Sequence, residues 1–296
     1  MTRSETDARS DAVVPEVMDA TGRALVRLAL REDLAGFGDV TSAWTVPADA
    51  VAQAGIVARE QAVVSGLPVA AAVFAEVDAR AVFTPLVAEG SLVTPGTALA
   101  EVTGPARGLL SAERVALNFL THLCGVATQA RRFAQAIAGT GATVIDTRKT
   151  TAGLRYWEKR AVRHGGCGNH RFGLFDLVLI KDNHLVAAGD VAAAVAAARA
   201  AAPLSMRVEV EVEDEAGLRE ALAAGADIVM LDNMPPSELR RCVKIARGLR
   251  PEVVLDASGG ITLVNVRSYA ETGVDVVSSG SLTSAVPAVD LGLDFA

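Results

Sequence analysis

Positively charged side chains are concentrated in one stretch of this sequence, between Arg148 and Lys181. The stretch holds eight lysine and arginine residues and two acids, in a chain whose formal net charge is −7. A basic stretch is often only a solvated helix face, but Gly165, Gly166 and Gly168 interrupt this one where a surface helix would continue. The clustered cations therefore favour a site for a small ligand with several negative charges.

The rest of the composition argues against nucleic acid as that ligand. The chain is acidic overall and only 4% of its residues are aromatic, whereas nucleic-acid sites usually combine a broad basic surface with stacking side chains. Three widely spaced cysteines indicate neither a disulfide framework nor a zinc site, which suits a cytoplasmic protein. The first twenty residues lack a secretory pattern, and no apolar stretch reaches the roughly 20 residues of a membrane span. We expect neither export nor a membrane partner.

After about residue 141, short β-branched runs alternate with helical patterns, as in repeated βα units that build a parallel sheet. The pattern predicts six strands, at residues 142–147, 177–181, 207–213, 227–232, 252–258 and 274–280. Between them, the predicted helix N-caps are Asp190, Ser237 and Thr262, and a further helix from Asp214 to Ala224 is predicted to end at Gly225. Because no GxGxxG turn follows a strand, an α/β barrel is favoured over an open dinucleotide-binding sheet.

Polar residues follow the predicted strands. In an α/β barrel the carboxyl ends of the strands form one rim, and this rim carries the active site. The candidates near the ends of the first two strands are mostly cationic, those of the third and fourth strands are acidic, and those of the last two strands are serine and glycine. In chain order they are Thr147, Arg148, Lys149, His170, Arg171, Lys181, Glu211, Asp232, Ser258, Gly259, Gly260 and Gly280.

This order divides the predicted rim into three chemical regions. The cations suit an anionic ring, and the glycine-rich ends suit a phosphate held by backbone N–H groups. The carboxylates of Glu211 and Asp232 suit Mg2+, which usually takes few protein ligands and clamps substrate phosphates.

Each of these assignments has a plainer alternative. Glu211 lies in the alternating run RVEVEVE, where an amphipathic strand would turn its acids outward. Lys181 either forms a rim salt bridge with Asp182, binds an anion, or serves as the amine of a Schiff base. His170 is either functional or an ordinary hydrogen-bonded loop histidine.

A helix is predicted from Ser111, joining the N-terminal segment to the barrel. Its residues Arg114, Asn118, Thr121 and His122 form a polar stripe on one face. The stripe indicates either ordinary amphipathicity or a guanidinium presented to an anion or a partner subunit. Before this helix, residues from about 25 to 104 combine short strands with Gly and Pro turns and predict a separate α+β domain.

The segments around these residues resemble the quinolinate phosphoribosyltransferase family in both order and spacing. The resemblance covers about residues 20–290, and its most specific run extends from Asp146 to His184. The matching strings are DTRKTTAGLR, RHGGCGNHRFGLFD, LIKDNH, EVEVE, MLDN, DASGG and SSG, with REDLAGFGDVTS and LLSAERVALNFL before them. A paralogous group linked to molybdenum transport shares this pattern.

The resemblance implies an activity and assigns residues to it. Quinolinate would react with 5-phosphoribosyl 1-diphosphate (PRPP) to give nicotinate mononucleotide, CO2 and diphosphate, in NAD biosynthesis. The quinolinate carboxylates would be held by Arg148, His170, Arg171 and Lys181, and by Arg114 from the other subunit of a homodimer. The phosphates of PRPP would be held by Thr147, Lys149, Ser258, Gly259, Gly260 and Gly280. Glu211 and Asp232 would lie at the ribose and hold Mg2+-diphosphate, directly or through water.

The resemblance also implies the fold, an N-terminal α/β sandwich domain and a C-terminal incomplete, TIM-like α/β barrel. The barrel would have about seven strands and be open on one side, so one strand is either short or missing from the six predicted. We expect a solvated tail at residues 1–20, a first domain at 21–125 joined by residues 283–296, and the barrel at 126–282. Two other functions stay open: a paralogous phosphoribosyltransferase with another acceptor, and a Schiff-base lyase that uses Lys181.

Overall fold

The computed structural model describes residues 15–296. Residues 1–14, most of the predicted tail, lie outside this described part. The first helix, α1 (Pro15–Leu34), begins within the range that was assigned to the tail. Among the described residues, no single helix is both long and apolar enough to cross a membrane; only the bent pair Asp182–Ala188 and Val191–Ala201 meets those two criteria jointly.

The chain forms two compact units. The first comprises the residues up to Thr128 together with Thr151–His164 and Val286–Ala296, and the second comprises Gln129–Thr150 and Gly165–Ala285. The first unit thus contains the segment Thr151–His164, which the sequence analysis placed in the barrel.

The first unit is built on an antiparallel sheet. Its strands are β1 (Val51–Ala58), β3 (Val82–Pro85), β5 (Ala98–Pro105) and β12 (Leu291–Phe295), in the order β12-β1-β5-β3. A second, two-stranded sheet pairs β2 (Ala62–Val63) with β4 (Leu92–Val93). Burial alternates along β1, as expected for a strand with one face in the core. Because β12 pairs with β1 from Ala54↔Phe295 to Ala58↔Leu291, the end of the chain returns to the first unit.

Helices complete the first unit. They are α2 (Val40–Thr45), α3 (Leu67–Val77), α5 (Arg155–His164) and most of the long α4 (Ala106–Ala136). The apolar helix α3 contacts α1 and β3 and buries Leu67, Val73 and Phe74. Helix α4 begins at Ala106, so the predicted N-cap Ser111 is wrong. Ser111 lies one turn inside the helix, where its hydroxyl donates back to the carbonyl of Arg107 at 2.8 Å.

The second unit is a parallel α/β barrel that is open on one side. Its strands are β6 (Thr143–Ile145), β7 (Val178–Ile180), β8 (Val208–Val212), β9 (Ile228–Asp232), β10 (Val254–Ser258) and β11 (Val276–Ser278), in the order β6-β11-β10-β9-β8-β7. These confirm the six predicted strands. Gly168 adds a single parallel bridge to Ile145 at the free edge of β6, which is the position of the short seventh strand. Among the described residues, no ladder joins this segment to β7.

Helices and one 3-10 turn connect these strands. They are α6 (Asp182–Ala188), α7 (Val191–Ala201), α8 (Glu215–Ala223), α9 (Pro236–Leu249), α10 (Val266–Ala270) and the turn Gly280–Leu282. The predicted cap Asp190 is confirmed, since its carboxylate accepts from Ala193 N at 2.7 Å. Asp214 caps α8 in the same way and accepts from Gly217 N at 2.8 Å.

Two other predicted caps are wrong. Ser237 lies inside α9, because Pro236 already has the backbone angle of a first helical residue. Thr262 lies in a turn before α10, where its backbone N–H donates to Asn265 Oδ1 at 2.8 Å, and Asn265 occupies the cap position instead.

Candidate active site

Lys181 and Glu211 meet at the carboxyl ends of two adjacent strands. The register of β7 and β8 pairs Leu179 with Glu209 and Ile180 with Val210, so Lys181 follows at the level of Glu211. Its Nζ contacts Glu211 Oε2. The side chain of Lys181 is 40% exposed and that of Glu211 is 15% exposed. Glu211 therefore does not turn outward, and Lys181 pairs with it rather than with Asp182.

His170 is held at the same rim by two buried acids. Asp146, fully buried at the end of β6, accepts from the backbone N–H of His170 at 3.0 Å and from Asn169 Nδ2 at 2.7 Å. The imidazole Nε2 lies 2.9 Å from Glu209 Oε2. Because the side chain of Glu209 is fully buried, the ring of His170 is positioned from the barrel interior as well as from its backbone.

Arg171 and Arg148 bring two guanidinium groups into electrostatic range of each other. Burial lowers the pKa of Arg171, and the positive charge of Arg148 lowers that pKa further. Arg171 also donates to the carbonyl of Leu177 at 3.1 Å, which fixes it over the loop that leads into β7. A pair of cations that repel each other is stabilised by a bound anion, so this part of the rim suits a carboxylate ligand.

Asp232, the second predicted metal-site acid, lies at the end of β9 beside the predicted phosphate loop. It pairs in register with Ser258 of β10, and its Oδ2 accepts from Asn233 Nδ2 at 2.5 Å. Asn233 has a positive φ of 56°, and its backbone N–H donates to Ser258 O at 2.9 Å. The left-handed turn at Asn233 thus ties the acid to the start of the glycine loop.

One close approach at the rim requires glycine, and a second leaves little room for a side chain. At Gly259, φ is +95° and an added Cβ would lie 2.3 Å from Asn233 Oδ1 and 2.7 Å from its backbone N. At Gly280, an added Cβ would lie 3.0 Å from Lys149 Cδ and 3.5 Å from Thr147 Oγ1. The structure therefore brings Thr147, Lys149 and Gly280 together. Gly260 follows Gly259 with φ of 60° and is exposed.

The sequence analysis missed two buried carboxyl groups below this rim. Glu209 and Asp256 are both fully buried, and their carboxylates and the His170 ring lie within 4.8 Å of one another. Asp256 accepts from Ser278 N and Ser278 Oγ at 3.1 and 2.6 Å. Burial, with the negative charge of Glu209, raises the pKa of Asp256 to about 7. The available signal was the alternation of residues along each strand, which places Glu209 on the face of Glu211 and Asp256 on the face of Ser258.

Both parts of the chain match models of one family. Residues 126–294 match the C-terminal domain, and residues 39–124 the N-terminal domain, of quinolinate phosphoribosyl transferase. The chain belongs to the quinolinate phosphoribosyl transferase family. Its α/β fold, with an antiparallel-sheet unit and a parallel-strand barrel unit, is the fold predicted from the resemblance.

Relatives and solved structures cover nearly the whole chain. The nicotinate-nucleotide pyrophosphorylase (carboxylating) of Mycobacterium leprae is 43% identical over 274 residues, covering 92% of this chain and 96% of the relative. The Homo sapiens protein of that name is 42% identical over 288 residues, covering 93% and 95%. The structure of the nicotinate-nucleotide pyrophosphorylase from Francisella tularensis superposes with a TM-score of 0.88 at 38% identity, covering 94% of this chain and 96% of that one.

The polar stripe on α4 separates into residues with different surroundings. His122 Nε2 lies 2.8 Å from Glu158 Oε1 of α5, and both Glu158 oxygens accept from Thr151 N, so this histidine has a structural partner. Arg114 is exposed on the same helix. Its role in the site of another quinolinate phosphoribosyl transferase subunit stays a prediction.

Proposed function

We propose that this chain transfers the phosphoribosyl group of PRPP to quinolinate and releases CO2 and diphosphate, forming nicotinate mononucleotide. The observation that carries the proposal is the shared rim. Lys181, Arg171 and Arg148 lie at the same barrel end as Glu211 and Asp232, and Lys181 contacts Glu211 directly. The names of the relatives, carboxylating nicotinate-nucleotide pyrophosphorylases, support the same reaction.

The charge distribution fits two substrates that repel each other. Quinolinate carries two carboxylates and PRPP several phosphate charges, so adjacent binding requires cations between and around them. Arg148, His170, Arg171 and Lys181 would hold the quinolinate carboxylates through charge-assisted hydrogen bonds. Lys149, beside Gly280 and Thr147, would meet a phosphate of PRPP. The loop at Gly259 and Gly260 would present backbone N–H groups to the 5-phosphate.

The acids at the rim fit a hard divalent cation, and we propose Mg2+ as the cofactor. Glu211 and Asp232 offer carboxylate oxygens from adjacent strands, the donor type that Mg2+ prefers, and Mg2+ needs only one or two protein ligands when substrate phosphates supply others. When bound there, the ion would stabilise negative charge on departing diphosphate as a Lewis acid. The Lys181 contact orients Glu211, so this carboxylate would be in place before substrates bind.

The reaction requires positioning more than proton transfer. The bond between ribose C1′ and the diphosphate oxygen breaks, and the quinolinate nitrogen forms a bond to C1′. The ring nitrogen is then positively charged. The bond from C2 to its carboxylate breaks, and its electron pair stays at C2, where the ring stabilises it. A proton from water then takes the place of the CO2 at C2. Arg148, Arg171 and Lys181 would keep the ring nitrogen aimed at C1′ throughout.

The second candidate, a Schiff-base lyase, is disfavoured by the surroundings of Lys181. A Schiff base forms from a neutral amine, which enzymes obtain by desolvation or by a cationic neighbour. Lys181 is 40% exposed, and its contact is with the carboxylate of Glu211 rather than with a cation. We propose phosphoribosyl transfer rather than lyase chemistry.

We further propose that the protein acts in the cytoplasm as a homodimer, with Arg114 completing the site of the other subunit. The three free, buried cysteines support a reducing compartment. Phe37 and Trp44 of the first unit, 90% and 82% exposed, are candidates for that interface, because the core of a protein interface is enriched in aromatic side chains.

The deciding experiment incubates the purified protein with quinolinate, PRPP and Mg2+. Formation of nicotinate mononucleotide with one CO2 per turnover is expected. Nicotinate in place of quinolinate tests the paralogous function with another acceptor, since it lacks the 2-carboxylate that leaves quinolinate as CO2. Turnover with nicotinate but not quinolinate, or borohydride trapping of a substrate on Lys181, would contradict the proposal.

A further inference from the structure

A chain of buried polar groups runs from the barrel interior to the candidate quinolinate site. Ser278 donates from its backbone N and its Oγ to Asp256, and the Asp256 carboxyl group lies near Glu209. Glu209 Oε2 lies 2.9 Å from His170 Nε2. Ser278, Asp256 and Glu209 are each no more than 3% exposed, so only the His170 end reaches the rim.

The fold does not require this chain. The interior of an α/β barrel is ordinarily filled by branched apolar side chains, as at Ile228 of β9, which pairs in register with Glu209, and at Val254 of β10, which pairs with Ile228. Burying two carboxyl groups costs free energy unless each is compensated. Among the buried side-chain atoms of the described residues, Glu209 Oε1 has no hydrogen-bond partner, so the compensation is incomplete. Polar groups kept at such a cost point to a role at the site.

We propose that Glu209 is a positioning residue that fixes the imidazole of His170 for the quinolinate carboxylate. A carboxylate oxygen is an acceptor only, so its contact fixes the proton on Nε2 of His170 and the plane of the ring. The backbone of His170 is fixed separately by Asp146. The inference rests on the proposed function, because it names what His170 is positioned to bind.

The same three side chains also have the donor types of a transition-metal site, and the geometry favours the positioning role. Glu209 Oε2 is already engaged by His170, and both oxygens of Asp256 are engaged by Ser278. A metal that used His170 Nε2 would have to displace the Glu209 contact, and one that used Asp256 would have to compete with the Ser278 contacts, which leaves Glu209 Oε1 as the oxygen that is not already engaged. Metal content is therefore measured together with the kinetics.

The test compares Glu209→Gln with Glu213→Gln. Both replace a glutamate in the RVEVEVE run, but Glu213 is exposed. Glu209→Gln should raise the KM for quinolinate about tenfold, because the glutamine amide is uncharged and a hydrogen bond to a charged group is the stronger one, and leave the KM for PRPP within about twofold. Glu213→Gln should match the wild type in both. A second variant, Glu209→Asp, withdraws the carboxylate by one methylene and should also raise the quinolinate KM, so the test survives if one variant does not fold.

A double variant separates positioning from a structural role. If Glu209 acts through His170, the double variant Glu209→Gln/His170→Asn should have a quinolinate KM less than about twofold above that of His170→Asn alone. Three results would overturn the inference. The effects of the two substitutions on the quinolinate KM could multiply in full in the double variant, or Glu209→Gln could raise the KM values for quinolinate and PRPP equally. The third is that the wild type binds one metal ion per chain and Glu209→Gln binds none.

Calorimetric binding of quinolinate distinguishes this inference from the proposed function. If the wild type binds quinolinate but does not turn it over, the proposed function fails while weaker binding by Glu209→Gln still supports the positioning role. If the wild type forms nicotinate mononucleotide and Glu209→Gln is unchanged, the positioning role fails alone. If the wild type does not bind quinolinate, both fail.

Discussion

The amine of Lys181 contacts the carboxylate of Glu211 across adjacent strand ends, so the barrel rim joins its cationic and acidic regions through one ion pair. The pair has a functional consequence. Quinolinate would take Lys181 as a partner for one carboxylate, and the diphosphate region would take Glu211 for its metal. Under the proposed function, each member of the pair would therefore serve a different substrate.

We expect Lys181→Met to lower kcat/KM for quinolinate about 10- to 100-fold, since it removes a charge-assisted contact of about 1.5 to 3 kcal/mol. Lys181→Arg keeps the charge and should lose less. Lys244→Met, in α9 away from the rim, is the control. Steady-state kinetics with each substrate varied in turn measure the effect. An unchanged kcat/KM for Lys181→Met would remove this lysine from the quinolinate site.

Replacing Arg148 or Arg171 by alanine should act on the same substrate. Each change should raise the quinolinate KM or abolish activity, because each removes a guanidinium contact worth about 1.5 to 3 kcal/mol. Arg241→Ala, whose side chain is 64% exposed, is the control. If both site variants keep wild-type kinetics while the control does as well, the anion site lies elsewhere.

Part of the candidate site could be predicted from the sequence, and part could not. The six strands were predictable because each is a short apolar, β-branched run that ends at polar residues. Such a run is visible in the local sequence pattern alone. The rim positions of Arg148, Lys181 and Asp232 followed from the strand ends. The partner of Lys181 did not follow, because the register between β7 and β8 is set by packing across a whole βα unit and not by neighbouring residues.

The wrong helix-cap and strand-face predictions also have identifiable causes. Ser237 and Thr262 have good capping side chains, but Pro236 and Asn265 start their helices at other positions. The alternating acids of RVEVEVE suggested an outward face, since an alternating strand usually turns its charges to water. Here both faces of β8 are covered: Val208, Val210 and Val212 are buried on one face, and Glu209 is fully buried on the other.

Removal of divalent cations should affect the use of PRPP but not the binding of quinolinate. Chelation with EDTA should abolish formation of nicotinate mononucleotide, and added Mg2+ should restore it, because Glu211 and Asp232 alone would repel the diphosphate. Calorimetric binding of quinolinate should persist in EDTA, since its proposed partners are cationic side chains. Full activity after chelation would contradict the role proposed for the two acids.

Gly259→Ala should destabilise the protein by about 1 to 3 kcal/mol, because a side chain is strained at φ of +95° and the new Cβ would collide with Asn233. It should also raise the KM for PRPP if this loop holds the 5-phosphate. Gly248→Ala is the matched control. It lies in α9, where an added Cβ meets nothing within 4 Å, and should be neutral or stabilise by up to about 1 kcal/mol. Urea unfolding of the three proteins tests the difference, and equal midpoints would contradict the predicted strain.

Asp256 should make stability depend on pH. Burial and the charge of Glu209 raise its pKa from 3.8 to about 7, so between these values the folded protein holds a proton that the unfolded chain releases. The free energy of unfolding should therefore fall as the pH rises from about 4 to about 7, by at most about 4 kcal/mol.

Asp256→Asn is neutral at every pH, and its amide can replace the protonated carboxyl beside Glu209 and Ser278. The variant should gain stability relative to the wild type as the pH rises through this window, and the difference should level off above about pH 7. Asp49→Asn, at an exposed position, makes the same chemical change in water and should show no such trend. Urea unfolding at intervals from pH 4.5 to pH 8 (about half-unit steps) measures the three proteins side by side. A difference between Asp256→Asn and the wild type that stays constant over that range would mean that Asp256 is ionised in the folded barrel, and Glu209 would then lie beside a second negative charge.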